Sequence, residues 1–300
     1  MKYSLWNFIT SKTHILPSPL ANKLGVQLIR IIITNFLILL RRLKNCRPRT
    51  NYEKKLINEG IVVIPNFLSE EEFLELKKEI NEVVSKSNEI NIGEKGSTKT
   101  FVQNFKTEDY KNFPSIQRFA KNEKLIRLIS VAEGTKVFDE IKSFRFETSL
   151  FGDPDKDKDN NVPFHVDVHF HSHKILFYTD EVTKENAPFA YCINSHKNNF
   201  KRLFFEYKRG QLKDAHNGNW RIQDNLHIKF FKNYFNYLMK SKYKVIGKQN
   251  TLIIANVHGF HQRGVGLEGS KRSLIRIPFR YNPLKNHAVY SSDDYSGSIF

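Results

Sequence analysis

Apolar residues recur at helical spacing in three stretches of this chain and at strand spacing in most of the others. Residues 60–67 (GIVVIPNF) form a short apolar run punctuated by Pro65, which predicts a buried strand ending there. Ser69 and Glu72 are spaced as a capping box, with Leu68 and Phe73 placed as its hydrophobic staple, so a helix is expected next. Its apolar positions Phe73, Leu76, Ile80, Val83 and Val84 keep to one face. Further helices are predicted over residues 122–131 and 226–239, the second aromatic enough to be largely buried.

From the middle onward the pattern changes to short runs of β-branched and aromatic residues separated by Gly, Asp, Asn or Pro. Residues 144–151, 163–170, 174–178, 189–193, 244–246, 251–255 and 273–277 each predict a strand. Strands in that number, with no helices alternating between them, favour a β-sandwich or jelly roll. The polar stretch 153–161 (DPDKDKDNN) is expected to be a mobile lip before the 163–170 strand. No repeat or linker divides residues 51–300, which read as one domain behind a basic, partly apolar helical segment of residues 1–50.

Within that segment, residues 25–40 (GVQLIRIIITNFLILL) are mostly apolar. The run is interrupted by Arg30 and falls short of the roughly 20 residues that span a bilayer core. No small-residue cleavage site follows, which argues against a secretory signal. The favoured reading is a helix packed on the domain. The other is an interfacial anchor through residues 25–44, with Ile31, Ile32, Leu37 and Leu40 in the bilayer surface and Arg41, Arg42 and Lys44 on anionic headgroups.

Composition narrows the classes. Three hundred residues, 40% of them hydrophobic and including 25 Phe and 12 Tyr, suffice for a substantial core. Two cysteines, Cys46 and Cys192, exclude a disulfide framework or an all-thiolate zinc site and point to a reducing, cytoplasmic setting, with membrane association as its variant. A formal charge of +17 attracts phosphate polymers and anionic membranes alike. Much of the excess lies in the first fifty residues and in 197–248, with no accompanying nucleic-acid motif, so no specific nucleic-acid partner is expected.

The candidate chemistry is His165-Val166-Asp167, followed by His261 and Arg272. Two imidazoles and one carboxylate can occupy one face of iron(II) and leave the opposite face open. Arg272 adds a planar, permanently charged fork suited to a co-substrate carboxylate. In a strand, His165 and Asp167 share a face, while Val166 and Val168 point away. The same parity makes His169 and His171 rival ligands, and a merely polar histidine-rich edge strand is the bland reading of the dipeptide.

Several ordered blocks resemble the phytanoyl-CoA dioxygenase-like iron(II)- and 2-oxoglutarate-dependent oxygenases. These are GIVVIPNFLSEEEFLELKKEI, PFHVDVHFHSHKILFYTDEVTKENAPFAYCINSHK, NTLIIANVHGFHQRG and KRSLIRIPFR, spread between Gly60 and Phe279. The resemblance implies a mainly β fold with flanking helices, the double-stranded β-helix or cupin-like jelly roll. It implies His165, Asp167 and a residue of 256–261 as metal ligands. Both His258 and His261 are candidates, and the family's eleven-residue separation between distal ligand and co-substrate arginine selects His261 with Arg272. Arg276 is the alternative for the 2-oxoglutarate carboxylate, and Lys174 a second charged contact. Phe164 stands where the family has tryptophan, and Ala187 and Asn194 replace loop glycines, which alters loop shape and pocket.

The implied activity is hydroxylation of an unactivated carbon using Fe(II), 2-oxoglutarate and O2. An aspartate at 167 favours hydroxylation over halogenation, since related halogenases resemble this pattern with a small residue there. The substrate expected from the basic surface is a small anionic or amphiphilic molecule, such as a lipid- or glycan-linked precursor. The competing readings are a non-catalytic basic protein, membrane-peripheral or nucleic-acid-binding, on a jelly-roll scaffold, and a structural zinc site. Oligomeric state leaves no mark in the sequence.

Overall fold

The computed structural model describes residues 10, 15–86, 91–106, 108–109, 111–135, 139–157, 159, 161–212, 221–281, 283–284 and 288–289. The remainder of the 1–50 segment, and Lys158 and Asn160 of the 153–161 stretch, lie outside the described residues. Three helices open the chain, α1 (Pro19–Lys23), α2 (Val26–Asn45) and α3 (Asn51–Glu59), the last begun by a Thr50–Glu53 capping box. Strand β1 (Ile61–Ile64) follows, then α4 (Glu70–Lys86). The Ser69–Glu72 box forms as expected, with Glu72 N–H donating to Ser69 Oγ at 3.3 Å and Ser69 N–H to Glu72 Oε2 at 3.0 Å.

A hairpin of β2 (Asn91–Lys95) and β3 (Thr98–Lys106) leads to α5 (Pro114–Ala120) and to α6 (Glu123–Glu133), which is capped by Asn122. The rest alternates short strands with two helices. In order they are β4 (Ser143–Leu150), β5 (His173–Tyr178), β6 (Phe189–Cys192), α7 (Phe200–Gly210), α8 (Lys229–Met239), β7 (Lys242–Val245), β8 (Thr251–Asn256), β9 (His261–Arg263), β10 (Lys271–Tyr281) and β11 (Ala288–Val289).

Two antiparallel sheets result, a large one ordered β1-β8-β5-β10-β4-β3-β2 with β11 beside β10, and a small one ordered β7-β6-β9. Period-two alternation assigns each face of the large sheet. Ile175, Phe177, Leu252, Ile254, Ile275 and Ile277 turn outward onto Phe73, Leu76, Phe119 and Leu125 of α4 to α6. Each such side chain stabilises the fold by roughly 1.5–3 kcal/mol on burial. Ile61, Leu176, Tyr178, Ile253 and Leu274 turn inward onto Phe189, Tyr191 and Val245 of the small sheet. Polar residues of the inward set therefore point into the space between the sheets.

Three expectations change. Residues 163–170 are not a ladder strand: their pairing is the single bridge His165↔His261, flanked by Asp167 N–H to the Val257 carbonyl. The alternation survives without the strand, since Phe164, Val166 and Val168 are buried while His165 and Asp167 face the inter-sheet space. One unexpected helix joins the expected one: α7 precedes α8, predicted over 226–239, between β6 and β7, and the two pack Phe205, Phe231 and Tyr234 against Phe164 and Phe260. The polar 153–161 stretch is tied down rather than free: Asp157 and Asp159 form ion pairs with Arg263, and Ser97 donates to the Asp153 carbonyl.

Among the described residues no helix is long and apolar enough to cross a membrane. Among the described residues, helix α2 packs on the domain by one face, burying Gln27, Arg30, Ile31, Thr34 and Ile38.

Candidate metal centre

His165, Asp167 and His261 come together between the sheets, each offering one ligand atom, and these atoms lie within 4.8 Å of one another. Their convergence follows from the reciprocal bridge between His165 and the first residue of β9, both backbone bonds being 3.0 Å long. Two residues after His165 on the same side, Asp167 then reaches His165 Nε2 at 3.5 Å and His261 Nε2 at 3.4 Å through Oδ1. Cis donors about 2.1 Å from a metal sit roughly 3 Å apart, so the cluster needs little rearrangement to hold one.

Both imidazoles are fixed in the same way. His165 Nδ1–H donates to the Pro163 carbonyl at 2.8 Å, and His261 Nδ1–H to the Gly259 carbonyl at 3.0 Å. That tautomer leaves each Nε2 lone pair facing the aspartate, the usual outer support of metal-binding histidines. His165 Nε2 is buried, with no hydrogen-bond partner among the described residues. Burial lowers the pKa of His165 to about 3. Burial and then the neighbouring Lys174 ammonium also lower that of His261. Both rings are therefore neutral, as ligation requires.

Lys174 is the cationic member of the site. Its Nζ stands 3.5 Å from Asp167 Oδ2 and 3.2 Å from His261 Nε2, supplying positive charge where these donors converge. The donor set of two imidazoles and one carboxylate fits iron(II).

Along the inward face of β10, Arg272 and Arg276 flank Leu274. Arg276 shares Glu147 with Arg145, and those charges hold the buried carboxyl below its ordinary pKa despite the desolvation that pushes it up. Arg272 donates to the Ala187 carbonyl and lies 5.7 Å from the Phe151 ring centroid. Among the described residues its buried Nε has no hydrogen-bond partner, and no carboxylate forms an ion pair with it. Burial lowers its pKa.

The rival histidines are placed elsewhere. His258 uses both ring nitrogens, on the Val168 carbonyl at 3.1 Å and Asn198 Oδ1 at 2.9 Å. His169 lies against Arg30, 3.5 Å away, and His171 against Asn256. Sequence reasoning missed Glu147 and Arg145, although the alternation of SFRFETSL puts both on the face of Ser149. It also missed Gly259, whose carbonyl orients His261 and where a Cβ would lie 2.1 Å from Tyr191 Oη.

Outside the site, His196 is buried with Nε2–H donating to the Ile57 carbonyl at 3.1 Å, and burial lowers its pKa to about 4. A histidine held neutral in the fold gives its full contribution above the unfolded value near 6.5, and loses it as pH falls towards 4. The loss amounts to about 1.4 kcal/mol per pH unit across that window. Urea midpoints of wild type and His196→Asn at pH 7.5 and 4.5 should show the variant losing about 2–3 kcal/mol less than wild type. Equal losses would show that His196 does not contribute to acid sensitivity.

Neither a protein-family model nor a curated protein sequence matches the chain. Solved structures similar in fold include the non-heme alpha-ketoglutarate-dependent carbocyclase SnoK from nogalamycin biosynthesis. It is 13% identical, with 77% of this chain and 83% of that one covered and a TM-score of 0.48. EctD from S. alaskensis with bound Fe is 14% identical, over 77% of this chain and 76% of that one, at 0.48. HygX from Streptomyces hygroscopicus with nickel and 2-oxoglutarate bound is 15% identical, over 76% and 86%, at 0.44.

Proposed function

We propose that the protein is an iron(II)- and 2-oxoglutarate-dependent oxygenase of the phytanoyl-CoA dioxygenase-like type, built on a double-stranded β-helix, that hydroxylates an unactivated carbon of a small anionic or amphiphilic substrate. The observation that carries this reading is the convergence of two neutral imidazole Nε2 atoms on one carboxylate within 4.8 Å. With bound iron(II), 2-oxoglutarate and dioxygen would supply the oxidising power needed to functionalise a carbon–hydrogen bond.

The residues divide the work. His165 and His261 donate through Nε2, and Asp167 contributes the charge that favours a divalent cation. Arg272 is a buried cation with one guanidinium nitrogen unpartnered, and it would receive the co-substrate's distal carboxylate. Arg276 is less suited, because Glu147 already answers its charge. Lys174 provides the second positive contact, and the apolar inward residues Leu176, Phe189 and Ile253 exclude water.

Anaerobic titration of iron(II) with 2-oxoglutarate tests the reading. A weak visible charge-transfer band that vanishes in His165→Ala, with succinate formed once air is admitted, is the expected result. A folded wild-type protein that gives no band would favour the non-catalytic reading. Metal retained through aerobic purification without 2-oxoglutarate consumption would favour structural zinc.

A further inference from the structure

Helix α2 is amphipathic in the wrong sense for a helix that only packs on a domain. At about 100° per residue, Ile29, Ile32, Ile33, Phe36, Leu40 and Leu43 fall within an arc of about 120° centred opposite the buried face, and Leu39 closes it. Their exposures run from 44% to 56%, and no polar residue interrupts the arc. The stripe extends roughly 21 Å along the axis. Leu20 and Leu24, 67% and 71% exposed, precede it.

The inward face is the polar one, and it fixes the helix. Arg30 Nη1 donates to Gln27 Oε1 at 2.8 Å, and Thr34 Oγ1 donates back to the Arg30 carbonyl at 2.9 Å. Arg42 donates to the Val131 and Ala132 carbonyls of α6 at 3.1 and 2.9 Å. Close approach secures the contact further: a Cβ on Gly134 would lie 2.9 Å from the Ile38 carbonyl oxygen. The apolar arc is thus held outward by the fold rather than left over from it.

Charge selects what covers the arc. Residues 1–52 carry nine Lys and Arg and not one Asp or Glu. Exposed Lys23 lies before the helix, and exposed Lys44, Arg47 and Arg49 lie at and beyond its end. Pairing with a second copy would bring like charges together in either orientation. An anionic bilayer offers apolar depth for the arc and negative headgroups for both ends.

From this arrangement we propose that α2 seats the protein on the surface of an anionic lipid bilayer, lying in the interface rather than crossing it. Ile31, counted from sequence among the membrane-facing residues, instead packs on the domain, and Leu37 is half-buried. The attachment is independent of the oxygenase chemistry. It also places the bilayer beside the ligand-bearing segment, since Arg30 on the opposite face of α2 lies 3.5 Å from His169, two residues beyond Asp167.

Flotation of the full chain with vesicles tests the attachment, using phosphatidylcholine alone and a mixture containing 30 mole per cent phosphatidylglycerol. Wild type should partition at least about tenfold more to the anionic vesicles, and Ile32→Glu with Phe36→Glu should remove about tenfold or more of that partitioning without shifting the thermal midpoint. In Phe36→Trp, added emission should move to the blue on the same vesicles. Wild type remaining in the aqueous fractions, equal flotation of the charged variant, or no emission shift would overturn the proposal. So would a wild-type dimer in sedimentation velocity that the charged variant dissociates, with no vesicle binding by either, since a second copy would then cover the arc.

Discussion

Asp167→Ala is expected to lower iron(II) affinity by at least about a hundredfold and to abolish 2-oxoglutarate turnover, whereas His258→Gln leaves both within a few-fold. Outer partners of metal ligands are already worth roughly 10- to 100-fold, and a ligand itself cannot be worth less. Asp167 is the group on which both Nε2 atoms converge and the one that balances Lys174. Its removal leaves two neutral rings and an ammonium, a set that repels a dication. His258 is buried only three positions before β9, but both its nitrogens are engaged by Val168 and Asn198. Its replacement should cost stability, about 1–3 kcal/mol for the unsatisfied groups left behind, without touching affinity. Anaerobic equilibrium dialysis with iron(II), paired with thermal melts, separates the two effects. Comparable metal affinity in Asp167→Ala and wild type would remove the basis for the proposed centre.

The ligand pair was legible because parity survives even where a strand does not. His165 and Asp167 share a side in the bent 163–170 segment as they would in a ladder, and one reciprocal bridge to His261 is enough to bring the third residue in. Local chemistry was equally legible in the Ser69–Glu72 box and in the apolar runs of β5 and β8, where every described position but Lys174 is buried. What escaped were elements whose burial runs against residue type. In α7 the buried positions include Arg202, Glu206 and Arg209, while Phe200 and Phe204 are exposed. Arg202 earns burial by pairing with Glu206 and donating to the Ser195 and His258 carbonyls, bonds made only once distant segments have assembled. Helix α2 inverts in the same way around Gln27, Arg30 and Thr34. The β2–β3 hairpin, polar at the edge of the large sheet, carries no apolar alternation strong enough to announce itself.

Arg272 provides the second test, because its expected effects on binding and on stability have different signs. A bidentate, charge-assisted contact with a carboxylate is worth roughly 3 kcal/mol, or about a hundredfold in affinity. Arg272→Met should therefore raise the Kd for 2-oxoglutarate about a hundredfold while leaving iron(II) affinity within a few-fold. Arg272→Lys should recover little, since a point charge cannot reproduce the fork. Stability should not fall in parallel. The wild-type guanidinium is buried, its pKa lowered by desolvation, and no carboxylate among the described residues is in ion-pair contact with it. Replacing a buried cation so poorly compensated by an apolar chain of similar length is commonly neutral or stabilising. Arg276→Met is the contrast: it leaves Glu147 to Arg145 alone and should lower the thermal midpoint with a smaller effect on 2-oxoglutarate. Calorimetric titration with 2-oxoglutarate and thermal melts of the three variants read both quantities. If Arg272→Met lost stability and kept 2-oxoglutarate affinity, the guanidinium would belong to the fold and Arg276 would take its place in the site.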